Sequence, residues 1–342
     1  MAVYTDVSDG ALRAFLSAYD IGALTAFRGI AEGVENSNFV LRTTGGTTGG
    51  AAGNAKGGVT GSDFILTLYE RRVNPEDLPW FLGLMGYLSD HGLSCPRPVA
   101  ARDGAALRVL AGRPAAITTF LPGVWPRAVT EAHCGPVGAA LARLHLAGQG
   151  YDAVRPNALG PESWPGLLDS CRRDGDSVQP GLVAELDAAL AEILPAWPAP
   201  GALPRGQIHA DLFPDNVFFL DGAVSGIIDF YFACTDILAY DVAICLNAWC
   251  FDAQGRFDAA RSRALIAGYE SVRPLSEAER AALPVLAAGA AMRFLLTRLY
   301  DWVNTPAGAM VTRKDPLDYL PRLRFHRAAW ADASSGAADH GF

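Results

Sequence analysis

The sequence predicts an α+β chain in two parts: a small mixed part built on an antiparallel sheet, then a larger, mostly helical part. Three observations predict it. Short apolar runs bounded by turn residues dominate the chain up to residue 120. Helical periodicity dominates after Pro122. Within that helical part, residues 207–231 hold a single hairpin pattern with acidic residues at its borders. A chain of 342 residues with 50% apolar content is long enough for two lobes, each with a core.

In chain order, Leu12, Phe15, Leu16 and Tyr19 recur at helical spacing behind Ser8 or Asp9 as N-cap. Residues 24–30 and 39–42 read as strands joined by a small, polar turn over 33–38. Such a tip presents backbone N–H groups to anions, although most polar hairpin tips bind nothing. Residues 43–61 are a Gly/Thr-rich, low-complexity insertion and read as flexible coil. Lys56 is followed by two glycines, so no Walker phosphate loop is present. Residues 64–70 form a strand, 75–91 a helix stopped by Pro96-Arg97-Pro98, and 107–110 with 115–120 a second hairpin. Helical patterns then cover 131–147, 161–176, 182–194, 239–251, 258–272 and 276–303, the last opened by the capping box Ser276/Glu279. His145 reads as a structural side chain. Residues 316–323 make a last short helix, and the tail 328–342 reads as frayed. The division expected is 1–120 and 121–327.

Bulk properties exclude several classes. A net charge of -8 without basic clusters argues against nucleic acid as a partner. No apolar run reaches the roughly 18 residues of a spanning helix, so no membrane role is expected. The N-terminus lacks a basic stretch followed by an apolar one, and six scattered cysteines without a C-x-x-C pair read as reduced core thiols. A cytoplasmic location is expected.

The chemistry concentrates in residues 207–231. Val217 to Leu220 reads as a strand, Asp221-Gly222 as a tight turn and residues 224–228 as the returning strand. Asp211 stands on the loop before this hairpin, Asn216 at its start and Asp229 at its end. One lone carboxylate plus a carboxylate–amide pair are oxygen donors of the kind that magnesium prefers, together with substrate phosphates. Phosphoryl transfer from a nucleotide needs this set, a base for the acceptor hydroxyl and ligands for the metal.

The pattern His209-x-Asp211-x-x-x-x-Asn216, followed by an apolar strand and Ile228-Asp229-Phe230, resembles the catalytic loop and metal aspartate of the aminoglycoside-phosphotransferase and protein-kinase-like superfamily. Within it the chain is most similar to the homoserine kinases of the phosphotransferase-like type. Residues 33–39 (GVENSNF), 113–123 (RPAAITTFLPG), 133–148 (HCGPVGAALARLHLAG), 208–219 (IHADLFPDNVFF) and 225–250 carry that closer likeness, which spans most of residues 1–325.

The resemblance implies a two-lobed kinase-like fold, with ATP and L-homoserine as substrates and Mg2+ as cofactor. It makes residues 1–120 the nucleotide-binding part and 121–327 the catalytic and acceptor-binding part. Asp211 becomes the catalytic base, and Asn216 and Asp229 the metal ligands. Asn36, Ser37 and Asn38 match the nucleotide loop; Thr119, Phe120 and Leu121 match the hinge that reads adenine through its backbone. His209 and Asp241 match residues that support the loop.

One departure stands out. Kinases of this shape carry a lysine on the third strand, and Thr67 stands there instead. Arg71 and Arg72 are candidate replacements, though solvated surface charges are the commoner reading. For an amino-acid acceptor, Arg293 is the expected carboxylate clamp, with an ion pair to Asp241 or another carboxylate of the helical part as its structural alternative. Asp236 is the expected ammonium partner, and Tyr231 an expected substrate contact. The competing readings are a kinase of another amino-alcohol or aminoglycoside and an inactive nucleotide-binding scaffold.

Overall fold

The computed structural model describes residues 5–30, 36–45, 61–70, 74–305 and 313–335. They divide into two compact units. The first comprises Met1–Val124, Phe218–Asp221 and Ser225–Tyr231; the second comprises Trp125–Val217, Gly222–Val224 and Phe232–Phe342.

In the first unit, Ser8 caps helix α1 (Asp9–Leu16) by accepting the Ala11 amide. Leu12, Phe15 and Leu16 then turn to one face. Strands β1 (Gly22–Gly29), β2 (Ser37–Gly45) and β3 (Gly61–Leu68) follow, then helix α2 (Leu78–Asp90), β4 (Leu107–Leu110) and β5 (Arg113–Thr119). The five strands form one antiparallel sheet in the order β1-β2-β3-β5-β4. Alternation on β3 buries Phe64, Leu66 and Leu68 in the same core as α1. The β2–β3 register sets Asn38 opposite Thr67. Of the Gly/Thr-rich stretch, residues 43–45 and 61 belong to β2 and β3, while 46–60 lie outside the described residues, as do Arg71 and Arg72.

The second unit is built on helices α3 (Glu131–Ala147), α4 (Trp164–Cys171) and α5 (Leu182–Ala196). The chain then passes through β6 (Arg205–Ile208), the two-stranded β7 (Val217–Leu220) and β8 (Ala223–Ile227), and β9 (Cys234–Ile237). Helices α6 (Leu238–Trp249), α7 (Ala259–Glu270), α8 (Glu277–Asn304) and α9 (Leu320–Ser335) complete it. The β7–β8 turn has positive φ at Asp221 (51°) and Gly222 (80°), which suits a two-residue hairpin loop. Helices α3 and α7 touch backbone to backbone. A Cβ on Gly268 would stand 2.0 Å from the Gly135 carbonyl oxygen, and one on Gly138 2.0 Å from that of Leu265.

Three expectations are corrected. Strands β6 and β9 pair antiparallel, Gly206 opposite Asp236. Each is only four residues long, too short to show a period, and the partners lie far apart in sequence. The tail is helical to Ser335, because Leu323, His326 and Ala329 are buried along one face of α9. Helix α8 contains an 18-residue window of mean hydropathy 1.4, long and apolar enough to cross a membrane, but 83% of that window is buried inside the protein. It is a core helix whose apolar residues extend round its circumference. The six cysteines are buried and free.

Gly268→Ala is expected to cost about 1–3 kcal/mol or more of stability, because a backbone carbonyl cannot yield as a side chain can. The midpoint of urea unfolding checks this. Burial, with the Arg322 charge adding to it, pushes the His326 imidazole down to about 3. The unfolded chain takes up that proton near pH 6.5 and the folded chain does not. Stability is therefore lost as pH falls below about 6.5, by up to roughly 1.4 kcal/mol per pH unit until pH nears 3. His326→Leu should flatten this slope in urea titrations at pH 7 and pH 5.

Candidate active site

The loop after β6 begins in the second unit with His209, Ala210 and Asp211. Ala210 has φ 60°, a left-handed conformation that penalises any side chain with a Cβ. Its peptide groups are held on both sides. Asp241, in the first turn of α6, accepts the His209 amide at 2.7 Å and the Ala210 amide at 2.9 Å, one on each carboxylate oxygen. Arg293 of α8 donates from Nη1 to the Ala210 carbonyl. Two residues on, Trp249 Nε1 donates to the Leu212 carbonyl at 2.8 Å.

Asp241 is fully buried. Burial alone would raise its pKa, but hydrogen bonding and charge from His145, with His209 adding, hold it below the usual carboxylate value. His145 Nε2 lies 3.2 Å from Asp241 Oδ2, and its Nδ1 lies 2.7 Å from the Tyr269 hydroxyl. Arg273 donates to that hydroxyl at 3.0 Å and to Glu279 at 2.8 Å. The His145 ring thus bridges the Tyr269 hydroxyl and the Asp241 carboxylate, and Arg273 N–H donates to the same Tyr269 oxygen. Glu279 also closes the capping box on Ser276. One buried chain of hydrogen bonds therefore runs from the start of α8 to the loop carrying Asp211.

Asn216, 7% exposed, ends a single 3-10 turn over Pro214–Asn216. Its Nδ2 donates to the Asp211 backbone oxygen at 2.8 Å and approaches Asp211 Oδ2 at 3.4 Å. That contact fixes the amide's orientation and leaves Oδ1 as its acceptor end.

The first unit holds the other predicted residues. Asp229 follows β8 with φ 68°, a conformation that aspartate tolerates better than most residues. Its charge helps to raise the pKa of two tyrosine hydroxyls beside it. Tyr69 is pushed up to about 12, chiefly by burial, and Tyr231 well above its usual value, also chiefly by burial. Tyr231 donates to Tyr69 at 3.1 Å and packs edge-on against Tyr69 and Phe81 of α2. On the neighbouring strand, Thr67 donates to Asn38 Oδ1 at 2.8 Å. Where the kinase pattern has a lysine, this chain has a hydroxyl joined to a neutral network. Asn36 accepts the Glu70 amide, and the Ser37 hydroxyl donates to Glu70 at 2.8 Å. In the hinge segment, Thr119 and Phe120 give their amides to the Arg97 and Asp63 carbonyls. Leu121 is left with the N–H that has no partner among the described residues.

The two charged residues expected from sequence to contact the acceptor, Asp236 and Arg293, make contacts within the protein. Asp236 lies on β9, where it accepts Asn157 Nδ2 at 2.8 Å, its neighbour Ile237's amide at 2.8 Å, and an ion pair from Arg205 at 3.1 Å. Both of its oxygens are engaged within the second unit. Arg293 is 3% exposed, sits 4.2 Å from the Phe294 ring centroid and 5.4 Å from that of Phe232, and makes no ion pair with Asp241. Its contact with the Ala210 carbonyl is one that sequence spacing could not disclose.

A model of the phosphotransferase enzyme family matches residues 26–275. The homoserine kinase of Gluconacetobacter diazotrophicus is 82% identical over 98% of this chain and 100% of its own length. Among solved structures, an aminoglycoside phosphotransferase from Alicyclobacillus acidocaldarius superposes with a TM-score of 0.65 at 16% identity, covering 95% of this chain and 96% of that one. An amicoumacin kinase in complex with AMP-PNP and Ca2+ superposes with a TM-score of 0.62 at 16% identity, covering 96% of this chain and 94% of that one.

Replacing Arg293 by Met leaves the Ala210 carbonyl unsatisfied in the interior, at about 1–3 kcal/mol. Thermal melts should show that loss. Steady-state kinetics should show a lower kcat with similar, small changes in the KM of both substrates. A selective rise in acceptor KM would return Arg293 to the acceptor.

Proposed function

The chain belongs to the phosphotransferase enzyme family and, within it, to the homoserine kinases, and from that premise we infer that it transfers the γ-phosphoryl group of ATP to the side-chain hydroxyl of L-homoserine. Full-length kinship at 82% identity is the observation that carries the choice of acceptor. The product is O-phospho-L-homoserine, an intermediate on the way to threonine.

We assign the roles as follows. Asp211 accepts the hydroxyl proton as that oxygen forms its bond to the γ-phosphorus and the bond to the β,γ-bridging oxygen breaks, releasing ADP. The buried bracing by Asp241 supports this role, because a base must be held within hydrogen-bond reach of the proton it takes. His209 serves the same loop: its Nδ1 accepts the Asp211 amide at 3.3 Å.

Kinases of this family use a divalent cation, and we propose magnesium, with Asn216 Oδ1 and Asp229 as its protein ligands. Both are hard oxygen donors, and the Asn216 amide is already turned by its bond to Asp211. When bound, the cation neutralises charge on the β- and γ-phosphates. Asn36, Ser37 and Asn38 are the nucleotide-loop residues. Thr119, Phe120 and Leu121 form the adenine hinge, where the unengaged Leu121 N–H is the natural donor. Tyr231 shapes the surroundings of Asp229 together with Tyr69 and is not assigned to the acceptor. Residues 1–120 are proposed as the nucleotide-binding part and 121–327 as the catalytic and acceptor-binding part. The location proposed is cytoplasmic.

An ADP-release assay across homoserine, serine, threonine, choline, methylthioribose and kanamycin should give the highest kcat/KM for homoserine. A preference for choline or kanamycin would overturn the acceptor, and no turnover with any of them would favour the inactive scaffold. Asp211→Asn should lower kcat by about two to four orders of magnitude, with the KM for ATP changed only a few-fold. Near-normal turnover would remove Asp211 from the base role.

A further inference from the structure

We propose that Arg322, on α9, binds the carboxylate of the amino-acid acceptor. The proposal rests on the homoserine reading above and names the residue that recognises the acid.

Arg322 is half-buried, yet no carboxylate pairs with it among the described residues. Its Nε donates to the Asn247 carbonyl at 3.1 Å, its Nη1 to the Asp318 carbonyl, and the guanidinium packs 4.8 Å from the Tyr319 ring centroid and 5.1 Å from that of Phe251. Two backbone oxygens leave the remaining N–H groups of the fork without an ion-pair partner, and Asp318 and Asp252 act on the charge only from beyond ion-pair distance. The contrast with its neighbour is direct. Arg298 lies 4.6 Å from the same Tyr319 ring, but it is paired with Asp318 at 3.0 Å. Burial, with the Arg298 charge adding, lowers the Arg322 pKa. A partly desolvated cation without a counter-ion is unfavourable in a finished fold and favourable where a ligand supplies the anion.

The position suits the acceptor. Phe213, two residues after Asp211, packs against Phe294 at 5.0 Å, Phe294 packs against Tyr319 at 5.2 Å, and Tyr319 carries Arg322. An unbroken run of rings therefore links the catalytic loop to the guanidinium. The charges of Arg298, Arg322, Asp211 and Arg293 all act on the Tyr319 hydroxyl. Homoserine carries its hydroxyl and its carboxylate at opposite ends of a short chain, so it needs a base and a cation at one site. Arg293 is buried, with Nη1 on the Ala210 carbonyl, whereas Arg322 is only half-buried and keeps N–H groups for a bidentate contact.

The rival explanation is that Arg322 only ties α9 to the last turn of α6 through Asn247. The two are separated by measuring kcat/KM for L-homoserine and for L-homoserine amide, which keeps the shape and loses the charge. The wild-type protein should prefer the acid by about tenfold to a hundredfold, the usual worth of a charge-assisted contact. Arg322→Gln should bring the acid-to-amide ratio to within about twofold of one, and Arg322→Lys should keep part of the preference. An unchanged ratio in both variants, an equal loss on acid and amide, or no acid preference in the wild type would each overturn the assignment. A wild-type protein that phosphorylates neither compound would instead overturn the homoserine reading itself.

Discussion

The second unit turns on one buried carboxylate. Asp241 accepts two consecutive backbone amides, those of His209 and Ala210, and so holds the loop that presents Asp211. A carboxylate without exposure is tolerable only when its charge is answered from all sides. Here the answers come from two amides and an imidazole, and the imidazole is in turn oriented by Tyr269, Arg273 and Glu279. The network reaches as far as the capping box of α8, so the start of that helix and the geometry of the loop are mechanically one feature.

The same loop carries backbone strain, and the strain is placed where it is best opposed. Ala210 in the left-handed region costs of order 1 kcal/mol or more. Asp241 grips its N–H and Arg293 its carbonyl, so neither end of the residue can relax without breaking a buried polar contact. This gives α6 and α8 distinct duties toward the loop. It also separates two arginines that look alike in sequence: Arg293 is buried against the loop's own backbone, and Arg322 is half-buried on the carbonyls of Asn247 and Asp318.

In the first unit the missing strand lysine is answered by neutral chemistry. Thr67 joins Asn38, and Tyr231 joins Tyr69 beside Asp229. The arrangement ties the start of β2 to the end of β3 without a cation. It follows from the β2–β3 pairing, which sets Asn38 opposite Thr67.

The sequence by itself determined the element pattern and the reaction type. Helical and strand periodicity are local, and the spacing from His209 through Asp211 to Asn216 is a single loop's length, so both are written along the chain. The departure at Thr67 was visible for the same reason. Tertiary structure alone decided which charges are answered within the protein. Asp236 meets Arg205 across the β6–β9 pair and Asn157 from outside it, Arg293 meets a carbonyl 83 residues before it, and Arg322 forms no ion pair among the described residues. A side chain's partner depends on which segments the core brings together, and that is a property of non-local packing with no periodic trace in the sequence. The helical tail of α9 escaped notice for the same physical reason: Leu323, His326 and Ala329 are weak signals on their own and become a buried face only where other helices cover them.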